Sequence, residues 1–521
     1  MSSFQVSFGE NAPCGKSLDD VLNYSVVEIK TRFFEWTDRI SKDPLSFGDV
    51  EQEILKFFTF LAGLLTIAVV SYVSVVGSVT TEAKKIRLDV GKPLRYVRMA
   101  CLQVTLLCGL TVRCRTSYWL PKRVIGPGRR RGIGKRGEEG VGFYPELSAL
   151  GIREGVSEAL RVEVARTVIL LPSFEVAKQE LLQRGVDLDT KKVHRVCVEL
   201  GEDALSARTA EVQKWRRGEL VPSTQLEEQK VVVTVDGGRV RVRELKKGRR
   251  TKGRRHRFNA PWREPKLLRI YTVDKDGRYD KKGSHVIDCT MKGPDYLMEL
   301  VAYHLYRLGA QHAEVVLFLG DGAEWIWDRV AKVAQLVGLS EWLAVVDFSH
   351  TIGYLIEAIH ASHSDHLSRQ KLRKLLKESL FKGDVARVLE LLNGFPGVET
   401  KEEVKAAIRY VKNHAKLMKY GEAQAKHLPI GSGAVESSIR RVINLRAKGA
   451  GMFWKIENVE GFLHLRANLL SGEWQLMLRR VAQHTRTTRQ VDWEWHPTLY
   501  SCKAPENELD NLIQLVSRKA A

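Results

Sequence analysis

Three acidic residues in the C-terminal half of the chain have neighbours that would place them in a reactive site. Two close apolar, β-branched runs and precede glycine, as Val-Asp236-Gly-Gly and Gly-Asp321-Gly. The third, Glu436, follows Gly-Ser-Gly in GSGAVESSIRRVINLRAKGAGMFW and reads as part of a first helical turn, where the helix dipole favours an anion. Carboxylates gathered at the ends of neighbouring strands repel one another, and a shared proton or a divalent cation relieves them. Mg²⁺, with Mn²⁺ as its usual substitute, takes hard oxygen ligands and keeps positions open for substrate phosphates. Three acids around two such ions suit in-line displacement at phosphorus, one ion activating water or a 3′ hydroxyl and the other stabilising the leaving oxygen. An isolated Asp-Gly pair marks a turn more often than a metal site. The order of the surrounding elements gives the combination its meaning.

VVVTVDGG, from Val231, is a continuous β-branched run, as in a buried strand that stops in a turn. Leu267 to Tyr279 and Ser284 to Thr290 read as two further strands, with Asp276-Gly277 as a turn signal. An amphipathic helix (Tyr296 to Leu308), a strand (Glu314 to Gly322), a helix (Trp325 to Val337) and a strand (Trp342 to His350) follow. This order predicts a mixed α/β sheet. The interval from Asp321 to Glu436 is longer than a helix, a strand and a turn require. The surplus, Thr351 to Leu428, is charged and helical and reads as an inserted domain, because structureless loops of that length are uncommon. Such an insertion contacts DNA, holds the active site closed, or is a solubilising helical pair.

The 521 residues have 44% hydrophobic and 28% charged side chains, which excludes wholesale disorder and collagen-like or mucin-like chains, and the length implies roughly three domains. Lys and Arg number 83 against 62 Asp and Glu, a net charge of +21 that attracts polyanions. Eight of the twelve residues from Lys246 to Arg257 are basic. That loop leaves the strand bearing Asp236, so Lys246, Lys247, Arg249, Arg250, Arg254 and Arg255 are candidate phosphate contacts, giving salt-dependent affinity without sequence choice. Arg440, Arg446 and Lys448 follow Glu436, and Glu436 and Arg440 share a helical face. They contact a DNA strand through guanidinium and ammonium groups, or form surface ion pairs. His350 can touch a scissile phosphate, orient an acid or play a structural part, and Asp347 beside it is read as orienting. Trp325, Trp327 and Trp454 are expected in the core rather than stacked on bases.

Residues from about 230 to 475 resemble the ribonuclease H-like catalytic domain of DDE transposases from bacterial and archaeal insertion sequences, in particular the ISKra-like group with its helical insertion. The resemblance rests on Val-Asp236-Gly-Gly, Trp262-Arg-Glu-Pro-Lys266, Gly-Asp321-Gly-Ala-Glu-Trp325-Ile-Trp327, Asp347-Phe-Ser-His350 and Gly431-Ser-Gly-Ala-Val-Glu436-Ser, followed by Arg446-Ala-Lys448-Gly and Trp454. It implies that Asp236, Asp321 and Glu436 form the catalytic and metal-binding triad. It further implies that the substrates are double-stranded terminal inverted repeats and target DNA, and that a homodimer or larger synapse acts in a bacterial or archaeal cytoplasm, at the nucleoid. The expected reaction is metal-dependent cleavage at element ends and transfer of the 3′ hydroxyl into target DNA. A ribonuclease H-like nuclease or resolvase that does not join strands, and a retired transposase that only binds DNA, are the alternatives.

The expected organisation has seven parts. Residues 1–120 form a helical region ending in a hairpin around Cys108-Gly109, 121–140 a basic Gly/Pro-rich linker, and 141–225 a helical DNA-binding region. The ribonuclease H-like core occupies 226–350 and 429–475, interrupted by the insertion at 351–428, and 476–521 is a tail. Val176 to Leu200 reads as a small helix-turn-helix with Asp189 as an N-cap. Seven scattered cysteines without a Cys-x-x-Cys pair fit a reducing cytosol and give no zinc site. The first residues lack the basic stretch and apolar core of a secretory signal. The 25 uncharged residues between Lys56 and Glu82 are long enough for a bilayer, yet their serines and threonines fit a buried helix of an N-terminal bundle, and no membrane partner is expected.

Overall fold

The computed structural model describes residues 5–8, 18–91, 93–121, 142–246, 248 and 256–488. The chain divides into two compact units, Met1–Leu200 with Thr485–Ala521 and Gly201–His484.

The first unit contains β1 (Gln5–Phe8), α1 (Leu18–Lys42), α2 (Phe47–Val76), α3 (Ser78–Asp89), β2 (Leu94–Thr105), β3 (Thr111–Pro121), α4 (Pro145–Ala149), α5 (Glu158–Leu170), α6 (Phe174–Gln183) and the start of α7 (Thr190–Arg216). β2 and β3 form the expected hairpin, with β1 added on the outer side of β3. The hairpin is longer than its sequence announces, because a register shift between Tyr96 and Arg98 interrupts the period-two pattern of β2. The linker at 121–140 lies almost wholly outside the described residues. Asp189 caps α7 as expected, accepting from Lys192 N at 2.8 Å, but the helix runs on to Arg216 and is far longer than the second helix of a small helix-turn-helix.

The uncharged run is helical up to Val76, breaks at Gly77 (φ +87°), and resumes as α3. It is not a fully buried bundle helix. One face of α2 packs Val50, Phe57, Leu61 and Leu64 against Trp36 of α1, and Ile67 joins Leu102 and Val104 of β2. Among the described residues, Ile54, Leu55, Phe58, Leu65 and Val69 of the same helix are exposed. By length and composition the span Pro44–Val70 is sufficient to cross a membrane, and 33% of its most apolar window is buried.

The second unit is built on β4 (Lys230–Gly237), β9 (Lys266–Val273), β10 (His285–Thr290), β11 (Val315–Gly320) and β12 (Trp342–Val346), with the short strands β5 (Val240–Arg241), β6 (Glu244–Leu245), β7 (Phe258–Asn259) and β8 (Trp262–Arg263) between β4 and β9. The five-stranded order is β10-β9-β4-β11-β12. β10 and β9 run antiparallel to their neighbours, while β4, β11 and β12 are mutually parallel. The sheet is therefore mixed, as the order of elements predicts.

Alternate residues of the central strands enter two different cores. Val231, Val233 and Val235 face α8 (Pro294–Arg307) and α9 (Glu324–Val337). Val232, Leu317, Leu319 and Val345 face α10 (Phe348–Ser362), α11 (His366–Phe381), α12 (Val385–Asn393), α13 (Glu402–His414) and α14 (Tyr420–Ala425). A strand buried on both faces needs the unbroken β-branched run seen in β4, and each such side chain contributes roughly 1.5–3 kcal/mol. The inserted helices are thus one layer of the core, since Leu376, Leu380, Val388 and Val411 complete the same cluster as the sheet.

α15 (Gly433–Ile439), a π-helical turn (Arg440–Asn444), α16 (Leu445–Ala447), α17 (Ile456–Leu470) and α18 (Trp474–Thr488) complete the unit. A buried ionic cluster joins α7, α8 and α17 to β10. Asp288 accepts from Arg208 (2.8 Å) and faces His304 Nε2 (3.1 Å) and His464 Nδ1 (2.8 Å). Arg208 also donates to Glu460 at 2.6 Å. Burial alone would raise the Asp288 carboxyl, but Arg208, His464 and His304 outweigh it and hold the group well below the usual range.

Candidate active site

Asp236 is the penultimate residue of β4, and Asp321 immediately follows the adjacent parallel strand β11. Parallel pairing brings both carboxylates to the same sheet edge, outside the carboxyl ends of the strands, where open α/β sheets bind ligands. Glu436 lies in the first turn of α15, which packs on β4 and β9. Arg269 of β9 anchors that helix by donating to Ala434 O (3.0 Å) and Ser438 Oγ (3.2 Å).

The three acids share one electrostatic neighbourhood. Burial pushes the Asp236 carboxyl up to about 6. The Gly237 amide, donating to Asp236 Oδ1 at 2.6 Å, opposes the rise, and the negative charges of Asp321, Glu436 and Glu264 add to it. Glu264 belongs to the Trp-Arg-Glu-Pro-Lys segment and received no role from the sequence. It lies directly over the Asp236 turn: a Cβ on Gly237 would fall 1.8 Å from its Oε1. Lys266 donates to the same oxygen at 2.8 Å. A Cβ on Gly238 would meet Ile443 Cδ1 of the π-helical turn at 2.4 Å. Gly238 therefore leaves room for the buried Ile443 of the segment that follows Glu436, while the Glu264 end over Gly237 is an exposed side chain that can move aside. π-helical turns recur at functional sites.

Asp321 is fixed by its backbone. Its Oδ1 accepts from Ala323 N at 3.0 Å, and its carbonyl accepts from Trp327 Nε1 at 2.9 Å. Gly322 is covered by the insertion, with His414 Nε2 3.0 Å from its carbonyl and the Tyr410 ring where a Cβ would go. Burial raises the Tyr410 phenol, and the charges of Asp321 and Asp347 contribute to the rise.

Asp347 requires a correction. The strand read over Trp342 to His350 stops at Val346, so Asp347 lies beyond the strand rather than inside it. It is the buried N-cap of α10, its Oδ1 accepting from the His350 backbone amide at 2.6 Å and its Oδ2 from Ser432 N. Its own amide donates to Gly320 O at 2.7 Å. Asp347 thus ties the end of β11 to the Gly-Ser-Gly turn that launches α15, and so sets Glu436 relative to Asp321. The His350 side chain is exposed.

The basic candidates divide. Lys246, Arg440 and Lys448 are exposed, and no ion pair joins Arg440 to Glu436 among the described residues. Lys247, Arg249, Arg250, Arg254 and Arg255 lie outside the described residues. Arg446 is a correction: at 2% exposure it is packed in the core, its guanidinium 4.8 Å from the centre of the Phe462 ring, and it cannot face a DNA strand. Trp454 is buried, as expected, and donates to Ala447 O at 3.0 Å, whereas Trp325 and Trp327 are only partly buried.

The basic loop has a stem that the sequence reading missed. β5 pairs with β8 and β6 with β7 in a two-stranded ribbon. Arg239, Arg241 and Arg243 point outward in alternation with buried Val240 and Val242, a period-two signal present in the sequence. The ribbon is pinned beyond Glu436, since Arg243 N donates to Trp454 O at 2.7 Å. Arg241 lies over the exposed Trp262 ring at 4.7 Å, and Lys448 Nζ is 5.9 Å from the same ring.

The donor set at the strand ends consists only of hard carboxylate oxygens and carries excess negative charge, which fits Mg²⁺ or Mn²⁺ rather than a softer ion. Among the described residues no three potential ligands already close on one point. Asp236 and Asp321 each turn one oxygen to a backbone amide, and Glu436 is exposed and free of such ties. Comparisons with protein-family models, with curated proteins and with solved structures give no match to this chain.

Proposed function

We propose that the chain is a DDE transposase with a ribonuclease H-like catalytic core, cleaving DNA at element ends and joining the freed 3′ hydroxyl to target DNA. The observation that carries this reading is geometric: Asp236 and Asp321 stand at the carboxyl ends of adjacent parallel strands, and Glu436 opens the helix that packs on the first of them. A mixed sheet with its acids at the carboxyl edge, two of them on neighbouring parallel strands, supports the same fold family.

Asp236, Asp321 and Glu436 would hold Mg²⁺ or Mn²⁺, which when bound supplies charge neutralisation for displacement at phosphorus. The protein's own part is placement. Asp347 and Arg269 set the Glu436 helix, Trp327 fixes the Asp321 turn, and Lys266 restrains Glu264. The exposed Arg239, Arg241, Arg243, Lys246, Arg440 and Lys448 would carry the DNA backbone past these acids through salt-sensitive phosphate contacts.

The test uses labelled duplexes spanning each flank of the coding region, incubated with the full chain, Mg²⁺ and a supercoiled target. Cleavage and joined product are expected. Asp236→Ala, Asp321→Ala and Glu436→Ala should each abolish both while leaving DNA retention unchanged. Cleavage retained in all three variants would refute the triad. Hydrolysis without joining would make the protein a nuclease or resolvase, and DNA binding without metal-stimulated turnover would make it a retired transposase.

A further inference from the structure

The ribbon formed by β5 to β8 has two unlike sides. A single register runs along it: Arg241 pairs with Trp262 and Leu245 with Phe258, and Val242 N donates to Pro261 O at 3.1 Å between them. Alternation along each strand then sorts the side chains. The reverse side buries Val240 and Val242 and takes the ribbon's one described acid, Glu244, in an ion pair with Arg263. The outward side carries Arg239, Arg241, Arg243 and Leu245 opposite Trp262 and Phe258. All six are exposed, the two rings at 43% and 36%. Glu264, just beyond the ribbon on this side, is tied to Lys266 at 2.8 Å. Among the described residues, no ion pair joins Arg239, Arg241 or Arg243 to an acid.

Each ring has cations beside it. Arg241 lies over Trp262 at 4.7 Å, with Lys448 Nζ at 5.9 Å, and Arg243 lies over Phe258 at 5.1 Å. Guanidinium groups suffice for the phosphates of an intact duplex, in which neighbouring pairs cover every base face and only edges and backbone are presented. Exposed aromatic rings among arginines suit a different ligand, a strand whose bases are free to stack while its phosphates meet the cations. Trp262 and Phe258 are four positions apart on one side of a strand, roughly 13 Å. The rise between stacked bases is about 3.4 Å, so the strand is held extended, with its bases parted.

We propose that the outward side of this ribbon binds unpaired nucleotides of a DNA strand, stacking bases on Trp262 and Phe258 and holding phosphates with Arg239, Arg241 and Arg243. The choice of DNA rests on the transposase reading, and the ligand class rests on the ribbon. Binding is measured on the full chain without metal, against an oligothymidylate, an abasic strand of equal length, and the oligothymidylate annealed to its complement. The wild type should hold the oligothymidylate on the order of a hundredfold more tightly than the abasic strand, which has the same charge but no bases. Trp262→Ala should lose about tenfold for the oligothymidylate alone, Phe258→Ala less, and Trp262→Phe should keep most of the affinity. Thermal melts confirm that each variant folds. A wild type that holds both single strands equally, or a folded Trp262→Ala that weakens all three ligands together or none, would overturn the proposal and leave the ring a brace for the ribbon. Cleavage of duplex ends without preference for the oligothymidylate would remove this inference and keep the transposase reading. Trp262-dependent strand binding without cleavage would do the reverse.

Discussion

Asp236, partly buried, and Asp288, fully buried, lie two strands apart on one sheet, yet their carboxyl groups move in opposite directions. Asp288 is surrounded by Arg208, His304 and His464, which hold it well below the usual range despite complete burial. Asp236 rises to about 6, first through burial and then through the charges of Asp321, Glu436 and Glu264, with the Gly237 amide opposing. Burial is common to both, so it does not explain the difference; compensation does. The Asp288 cluster is closed, with the neighbouring cavity of about 20 Å³ offering room for one water. Asp236, in contrast, is only partly buried, and Glu436 is exposed. A compensated buried acid serves architecture, and an acid raised by burial and like charge at a strand end is a candidate functional group.

The largest expected effect comes from removing the compensation. Arg208→Met leaves Asp288 and Glu460 buried without their shared cation and should cost about 3–5 kcal/mol. It should appear as a lower denaturant midpoint with the folded signal of the sheet intact at zero denaturant. If the variant unfolds like the wild type, Asp288 is compensated by the histidines alone and the contrast weakens. A smaller effect is expected beside Asp236. Gly238→Ala pushes a methyl to within 2.4 Å of Ile443 Cδ1 and should cost about 1–3 kcal/mol by overpacking. Because Ile443 lies on the segment that follows Glu436, this variant should lose Mg²⁺-dependent stabilisation in thermal melts out of proportion to its loss of stability. Equal losses would mean that the glycine serves packing only.

The two regions also differ in how far their residues announce them. The acids of the candidate site are legible because each sits at the end of a recognisable element: β4 and β11 are β-branched runs stopped by glycine, and the Gly-Ser-Gly start precedes a helix. The parts that hold those acids are not legible. Asp347 reads as a residue inside a strand, and only the fold shows it bridging His350 and Ser432 backbone amides from two segments. Arg446 has the spacing of a surface cation, but the π-helical turn before it rotates the chain and buries its side chain. The Arg208–Asp288 cluster is invisible to pattern reading, because it joins residues from α7, β10, α8 and α17 that no local period connects. The inserted helices are legible as helices, while their place as one layer of the core depends on long-range packing of Leu376, Leu380 and Val411 against the sheet. Arg239, Arg241 and Arg243 did carry a strand pattern, hidden by the density of charge around it.

The sharpest test of the contrast is the smallest in energy and rests on the sign of a pH dependence. The carboxyl of Asp236 is raised from 3.8 to about 6, so the folded protein binds this proton more tightly than the unfolded chain. Its contribution to stability is full below the unfolded value and disappears as pH climbs through the folded one. The two-unit rise caps the effect at ~3 kcal/mol, and solvent screening of this partly exposed group reduces it to ~1–2 kcal/mol. Asp236→Asn carries no charge to repel, so it should be more stable than the wild type above pH 6, with the gap opening between about pH 4 and pH 6 and constant beyond. Denaturant melts of both proteins across that range read the gap directly. Added Mg²⁺ should narrow it by stabilising the wild type and not Asp236→Asn, because a divalent ion supplies the positive charge that Arg208 gives to Asp288. The corresponding substitution Asp288→Asn should do the reverse, destabilising at neutral pH, since its carboxylate is held by cations already present. A flat difference between Asp236→Asn and wild type from pH 4 to 8, or a variant less stable than the wild type at neutral pH, would show that Asp236 is compensated after all. The two acids would then be alike, and the case for a metal site at the edge of this sheet would fail with the contrast.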